Sequence, residues 1–297
     1  MSELLYHKPV LVDEVLTYLD PQPGKTYLDV TFGSGGHTRA ILEKEPKCNV
    51  IAMDWDTNAL EKYGEPLQKL FPGRLKLVWG NFALLYKILK KENIKPVDGM
   101  LADFGTSQIQ IVNRPGFSIY RDTLLDMRMS PPHQKITAAD VLKDASRDKL
   151  CQLFSQLGGE RYAMQIAKAI VFERKKRKIR TTKQLAELIE RSVPRKKKEK
   201  IHPATRVFQA LRIYVNKELD NISAFLPAAC RAIKKNGRLV CISFHSLEDG
   251  MVKDFFKSMQ LEGKVKVLTP KVIGPSEDEV KINPSARSAK LRAAEIL

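Results

Sequence analysis

The sequence predicts an α/β protein whose parallel sheet draws on both ends of the chain and is interrupted by a helical insertion. Three observations lead there. Short apolar runs bounded by turn residues alternate with helix-length stretches over the first third. That strand signal disappears from about Asn113 to Arg212, where helical periodicity takes over, and it returns strongly at 237–244.

In order, Thr26–Phe32 reads as the first strand, followed by Cys48–Met53, Leu75–Trp79 and Val97–Ala102. Thr38–Lys44 and Asn58–Leu70 are the helical stretches between them. Inside the insertion, Thr181–Val193 places Leu185, Leu188 and Ile189 on one helical face, with Thr181 and Thr182 to cap it and Pro194 to end it. A β-rich segment at Lys264–Ile273 follows the late strand. The organisation expected is one α/β domain from residues 1–112 and 213–297, with a helical substrate-binding insertion at 113–212.

Composition limits what such a chain does. Its 297 residues are 43% hydrophobic and 29% charged, which excludes a disordered chain. The net charge is +17, of which +11 lies in residues 171–212 alone. Two basic runs there, Arg174–Arg180 and Arg195–Lys200, flank the helix at 181–193 and suit a phosphate backbone, from which they would displace counterions. Cys48, Cys151, Cys230 and Cys241 are scattered without metal-ligand spacing, so reduced thiols in a cytoplasmic protein are expected, with no metal. No apolar run approaches the roughly 18 residues of a spanning helix.

The chemistry concentrates after the first strand. Asp29 leads into Thr31-Phe32-Gly33-Ser34-Gly35-Gly36-His37, a glycine-rich turn between a strand and a helix, which allows close approach of a ligand. The second strand leads to Asp54, 21 positions past Gly33, where a carboxylate suits ribose hydroxyls. Nicotinamide and S-adenosylmethionine sites share that device. Two details favour the second: Thr38 stands where a dinucleotide fingerprint needs its third glycine, and a sulfonium with an ammonium favours carboxylates such as Asp29 and Asp103. Gly80-Asn81-Phe82 and His245-Ser246 fall at the same carboxyl edge.

These residues resemble, over nearly the whole chain, the bacterial small-subunit ribosomal RNA cytosine-N4-methyltransferases. The matching stretches are Asp29–His37, Leu125-Asp126-Met127-Arg128-Met129, His202–Arg206 with Phe208–Ile213, Ser243–Asp249, Asn283-Pro284 and Ala286–Arg292. The resemblance implies a Rossmann-like S-adenosylmethionine-dependent domain with an inserted helical domain. It also implies methylation of the exocyclic amine of a decoding-centre cytidine in 16S rRNA. Carried over by position, the cofactor contacts fall on Gly35, Gly36, His37, Asp54, Phe82, Asp103 and Gln110.

Asp103 and His245 are the expected catalytic residues, the first to accept the amine's hydrogens and the second to hold the base or relay its proton. Arg206, Arg212, Lys196, Lys197, Lys198, Arg287 and Lys290 are the expected RNA contacts. One departure stands out: the family usually reads D-L-G-V-S-S-P-Q-L where this chain has Asp103-Phe104-Gly105-Thr106-Ser107-Gln108-Ile109-Gln110-Ile111. The lost proline supports an alternative, a non-catalytic RNA-binding assembly factor that retains S-adenosylmethionine. A nicotinamide-dependent dehydrogenase ranks third.

Overall fold

The structure, a computed structural model, describes residues 9–104, 114–194 and 201–297. The chain divides into two compact units, one of Met1–Ser107 with Leu219–Leu297, the other of Gln108–Glu218.

The first unit is built on one seven-stranded sheet of order β3-β2-β1-β4-β5-β7-β6. The strands are β1 Thr26–Asp29, β2 Asn49–Asp54, β3 Leu75–Trp79, β4 Val97–Asp103, β5 Ile233–Ser243, β6 Val265–Val267 and β7 Lys290–Ile296. β1 to β5 pair in parallel, whereas β7 runs antiparallel to both β5 and β6. The chain winds outward from β1 to β3, then returns to lay β4 on the other side of β1. That reversal opens a crevice at the carboxyl ends of β1 and β4, where open α/β sheets bind ligands.

The apolar runs of β2 and β4 are buried, as strands covered by helices on both faces must be, and Leu28, Met53, Met100, Phe225, Leu239 and Cys241 belong to one core. β1 is shorter than its apolar run, ending at Asp29. Beyond it Val30 still donates to Leu101 O and Phe32 to Met53 O, so the backbone stays tied to both neighbours as it turns into the glycine loop. The helical stretch at 57–70 is also not uniform: a wide π turn at Leu60–Gly64 precedes Glu65–Leu70. Pro66, lacking an N–H, cannot donate to the carbonyl one turn back, which explains the break in regular spacing.

β7 carries no strand signature in the sequence. Its residues, Lys-Leu-Arg-Ala-Ala-Glu-Ile, are mostly good helix formers. Pairing decides instead: Leu239 faces Ala294 and Val240 faces Ala293, and both alanines are fully buried. The β-rich segment at 264–273 yields only β6 and an isolated bridge from Ile273 to Leu291.

The second unit is helical: Ala138–Asp144, Arg147–Gly158, Ala163–Glu173, Thr182–Ser192 and Thr205–Asn216. Its core includes Leu150, Phe154, Ile166, Ile170, Leu185, Ile189 and Leu211. Sequence signals for the ends are realised as hydrogen bonds. Thr181 and Gln184 form a capping box, as do Thr137 and Asp140. Gly159, with φ of 61°, closes the helix before it. The Leu-Asp-Met-Arg-Met stretch is held internally, Arg128 gripping both oxygens of Asp126 while Asn216 bonds Met127 O and Met129 N.

Candidate functional site

The carboxyl edge of the sheet carries the ends of β1, β2 and β4, and with them three carboxylates in different states. Asp29 is fully buried and committed to the fold. Its Oδ2 accepts from Thr38 Oγ1 at 2.7 Å and its Oδ1 from Thr31 N at 3.1 Å. Burial raises its carboxyl above the usual range, opposed by the nearby His37. The bond to Thr38 also explains why no glycine stands at that position. Asp29 is therefore a fastener of the loop.

Asp54 joins the loop from the neighbouring strand. Its Oδ2 accepts from Gly33 N at 2.7 Å and its Oδ1 from Asp56 N at 2.9 Å. Burial pushes its carboxyl up to about 6, with those two amides opposing the shift. Each oxygen keeps a lone pair beyond its backbone bond, so the group can still accept from a ribose hydroxyl.

Asp103 is the open member, its side chain 23% exposed. Its amide donates to Thr31 Oγ1 at 2.7 Å, which ties the end of β4 to the loop after β1. His37 lies beside it, Nδ1 3.9 Å from Asp103 Oδ2, while His37 Nε2 sits 2.8 Å from Val10 O. A carbonyl only accepts, so Nε2 carries a hydrogen, and Nδ1 is the ring nitrogen that faces Asp103.

The glycines of the turn serve the protein's own packing. Gly35 has φ of 82°, and a Cβ there would lie 2.7 Å from the Phe32 ring; at Gly36 it would lie 2.8 Å from the Pro9 ring. Gly33 also takes a left-handed φ of 55°, but a Cβ there would meet only Thr31 O, at an ordinary 3.9 Å. Phe82 is half-buried and packs with Phe104 and Phe225, ring centroids 5.4–5.9 Å apart, an apolar wall at the ends of β3 and β4.

His245 ends the segment after β5 and caps the helix Ser246–Leu261. Its Nδ1 accepts from Glu248 N at 3.4 Å, and its Nε2 lies 3.2 Å from Glu248 Oε1. Both ring nitrogens thus face Glu248, a fully buried carboxylate that also accepts from Phe244 N. The imidazole shapes this turn. The spacing of His245 and Glu248, three residues apart before an apolar helix, is a capping-box signal the functional reading passed over.

The expected RNA contacts separate into distinct environments. Arg212 is committed to Glu218, with Nε–Oε1 and Nη2–Oε2 distances of 2.9 Å. Arg206 is half-buried in the first turn of its helix. Arg287 is exposed, and Lys290, paired with Ser243 across β5 and β7, is brought to the same sheet edge as Asp103. In the first basic run, Arg174 donates to Leu142 O and Ala145 O, and Arg177 pairs with Glu173. Lys175, Lys176 and Lys178 remain exposed. Gln110 and Lys196, Lys197 and Lys198 lie outside the described residues, as do residues 105–111 of the altered loop.

Comparison with known proteins gives the class. The model of the MraW methylase family matches residues 4–297. The chain belongs to that family. It is 41% identical to "Ribosomal RNA small subunit methyltransferase H" of Ehrlichia chaffeensis, over 97% of this chain and 98% of that one. It is 43% identical to the protein of the same name from a Sulfurihydrogenibium species, with 97% and 98% covered. The Carboxydothermus hydrogenoformans protein of that name is also 43% identical, with 98% of each covered.

An MraW methylase is an S-adenosylmethionine-dependent methyltransferase, and the edge just described suits that donor. Asp54 offers acceptors for ribose, the Phe82 wall offers an apolar surface, and the open Asp103 matches a cationic ligand. Among the described residues no helix is long and apolar enough to cross a membrane.

Proposed function

We propose that this MraW methylase transfers the methyl group of S-adenosylmethionine to the N4 amine of a decoding-centre cytidine in 16S rRNA, acting on the small subunit in the cytoplasm. The observation that carries the reading is Asp103: a partly open carboxylate at the end of β4, its backbone fixed by Thr31 and its side chain flanked by His37. Cytosine N4 is a poor nucleophile because its lone pair is delocalised into the ring. Asp103 accepts the amine's hydrogens, which draws that lone pair onto nitrogen and stabilises the positive charge that develops there.

S-adenosylmethionine supplies the electrophilic methyl. Asp54 and the Phe82 wall orient its adenosine, and the turn built on His245 and Glu248 holds the backbone beside β5. The target base leaves its stack to reach this edge, as in other base-modifying enzymes. The helical unit and the exposed lysines grip the phosphate backbone.

The deciding experiment is methyl transfer from S-adenosylmethionine to small subunits lacking the modification, with the RNA digested and its nucleosides identified by mass. N4-methylcytidine at one decoding-centre position supports the reading. Methyl transfer to another base, or none despite tight binding of both ligands, overturns it.

A further inference from the structure

The helix Ala163–Glu173 buries Ala163, Ile166, Ala167 and Ile170 in the core of the helical unit. Its outer face should then be polar. Instead Met164 and Phe172 lie there, 40% and 60% exposed. Met164, Lys168, Phe172 and Lys176 recur every four residues and so fall along one side, a stripe of about 18 Å at 1.5 Å per residue. The coil runs on past Glu173, since Lys176 N and Arg177 N both donate to Glu173 O.

Apolar and cationic groups alternate along this side, and one contact joins them: Lys176 Nζ stands over the Phe172 ring, 4.2 Å from its centroid. The ammonium is drawn to the electron-rich face of the ring. One amine covers one face at most, and the exposure of Phe172 leaves ring surface for a ligand. Residues 161–180 hold eight basic side chains and one acid, Glu173, which pairs with Arg177. Lys168, Lys175 and Lys178 are exposed. Arg174, donating to Leu142 O and Ala145 O, anchors the backbone just after the ring.

Such a surface suits a polyanion whose charges alternate with flat apolar faces. Single-stranded RNA offers phosphates for the lysines and an unstacked base for the ring. Duplex RNA turns its base faces inward and can use only the lysines. A lipid surface needs a continuous apolar stripe, whereas Lys168 here divides Met164 from Phe172. We propose that this side of the helix binds a single-stranded stretch of RNA, with one base stacked on Phe172 and the flanking phosphates held by Lys168 and Lys175. The face thereby selects strand state rather than base sequence. That the strand belongs to the methylated RNA rests on the function proposed above.

The test is equilibrium binding of the full chain to an oligouridylate, which stays single-stranded, and to an RNA duplex of equal length at the same salt concentration. Phe172→Leu keeps an apolar side chain but removes the ring, and it weakens oligouridylate binding roughly tenfold, the scale of one lost base–aromatic stack. Duplex affinity stays unchanged, as does S-adenosylmethionine affinity, the check on folding. Phe172→Trp retains oligouridylate affinity, and the emission it adds to that of Trp55 and Trp79 is quenched by oligouridylate and not by duplex. Unchanged oligouridylate affinity in Phe172→Leu overturns the proposal, and so does an equal loss on the duplex or an unquenched signal. A loss confined to phosphatidylglycerol vesicles gives the ring to a lipid surface and overturns it too. No methyl transfer enters these measurements. Failure of the methylation assay with strand selectivity intact therefore strikes the proposed function alone, and the reverse outcome strikes only this face.

Discussion

The Gly33 amide donates to Asp54 Oδ2 across 2.7 Å, so the loop after β1 is fastened to the end of β2 by the same carboxylate proposed to hold the ribose. On that proposal, cofactor affinity and loop geometry depend on one ionisable group.

Burial raises the Asp54 carboxyl to about 6. An acid whose folded value lies above its unfolded one favours folding below the unfolded value and loses that contribution as pH rises through the folded one. Between pH 4 and 7, wild-type stability relative to Asp54→Asn falls by about 2 kcal/mol, read by urea denaturation across that range. S-adenosylmethionine affinity moves oppositely, weakening as pH drops below about 6 because the protonated acid loses acceptor positions. Affinity that is flat from pH 5 to 7.5 would remove Asp54 from the ribose contact.

Asp103→Ala slows single-turnover methyl transfer by roughly a hundredfold, the scale of one electrostatic interaction with developing charge. RNA affinity is unchanged. A rate within twofold of wild type would transfer the orienting role to the neighbouring backbone.

Gly35→Ala and Gly36→Ala both drive a Cβ into a ring, Phe32 in one case and Pro9 in the other. Each lowers stability by about 1–3 kcal/mol. Gly33→Ala costs only about 1 kcal/mol, since its backbone is left-handed but a Cβ there makes no close contact. Thermal denaturation of the three variants gives the order, and an equal loss at all three would contradict the packing account.

Arg212→Ala leaves Glu218, 8% exposed, without its guanidinium partner. The expected loss is about 3–5 kcal/mol of stability with little change in the salt slope of RNA binding. Replacing Lys196, Lys197 and Lys198 with Gln does the reverse: stability holds, and the slope of log affinity against log salt falls by about one for each phosphate that is no longer neutralised. A steady slope in the triple variant would assign those lysines to solvent.

Much of the first unit was legible because its central strands are buried on both faces and read as apolar runs, as at Val50–Met53 and Met100–Ala102. β7 was not, since its alanines are strand residues only by virtue of the partners they meet. At the site, Asp54 and Asp103 were legible from their places after strands. The internal commitment of Asp29 was not, because Thr38 is a polar neighbour whose side chain turns inward only in the folded chain; the cap made by His245 was written in its spacing to Glu248.

The strands β4 and β5 lie side by side, yet 129 residues separate Asp103 from Ile233. At 5–20 residues per second, a ribosome needs about ten seconds to make that stretch. The helical unit is contiguous and can acquire its core as it emerges. The sheet must wait with the edge of β4 exposed until β5 is synthesised, and β7 closes it only at the last residues. A nascent chain stalled anywhere in that interval would display a folded helical unit beside an unfinished sheet, so a shortage of chaperone should harm this protein during synthesis more than after release.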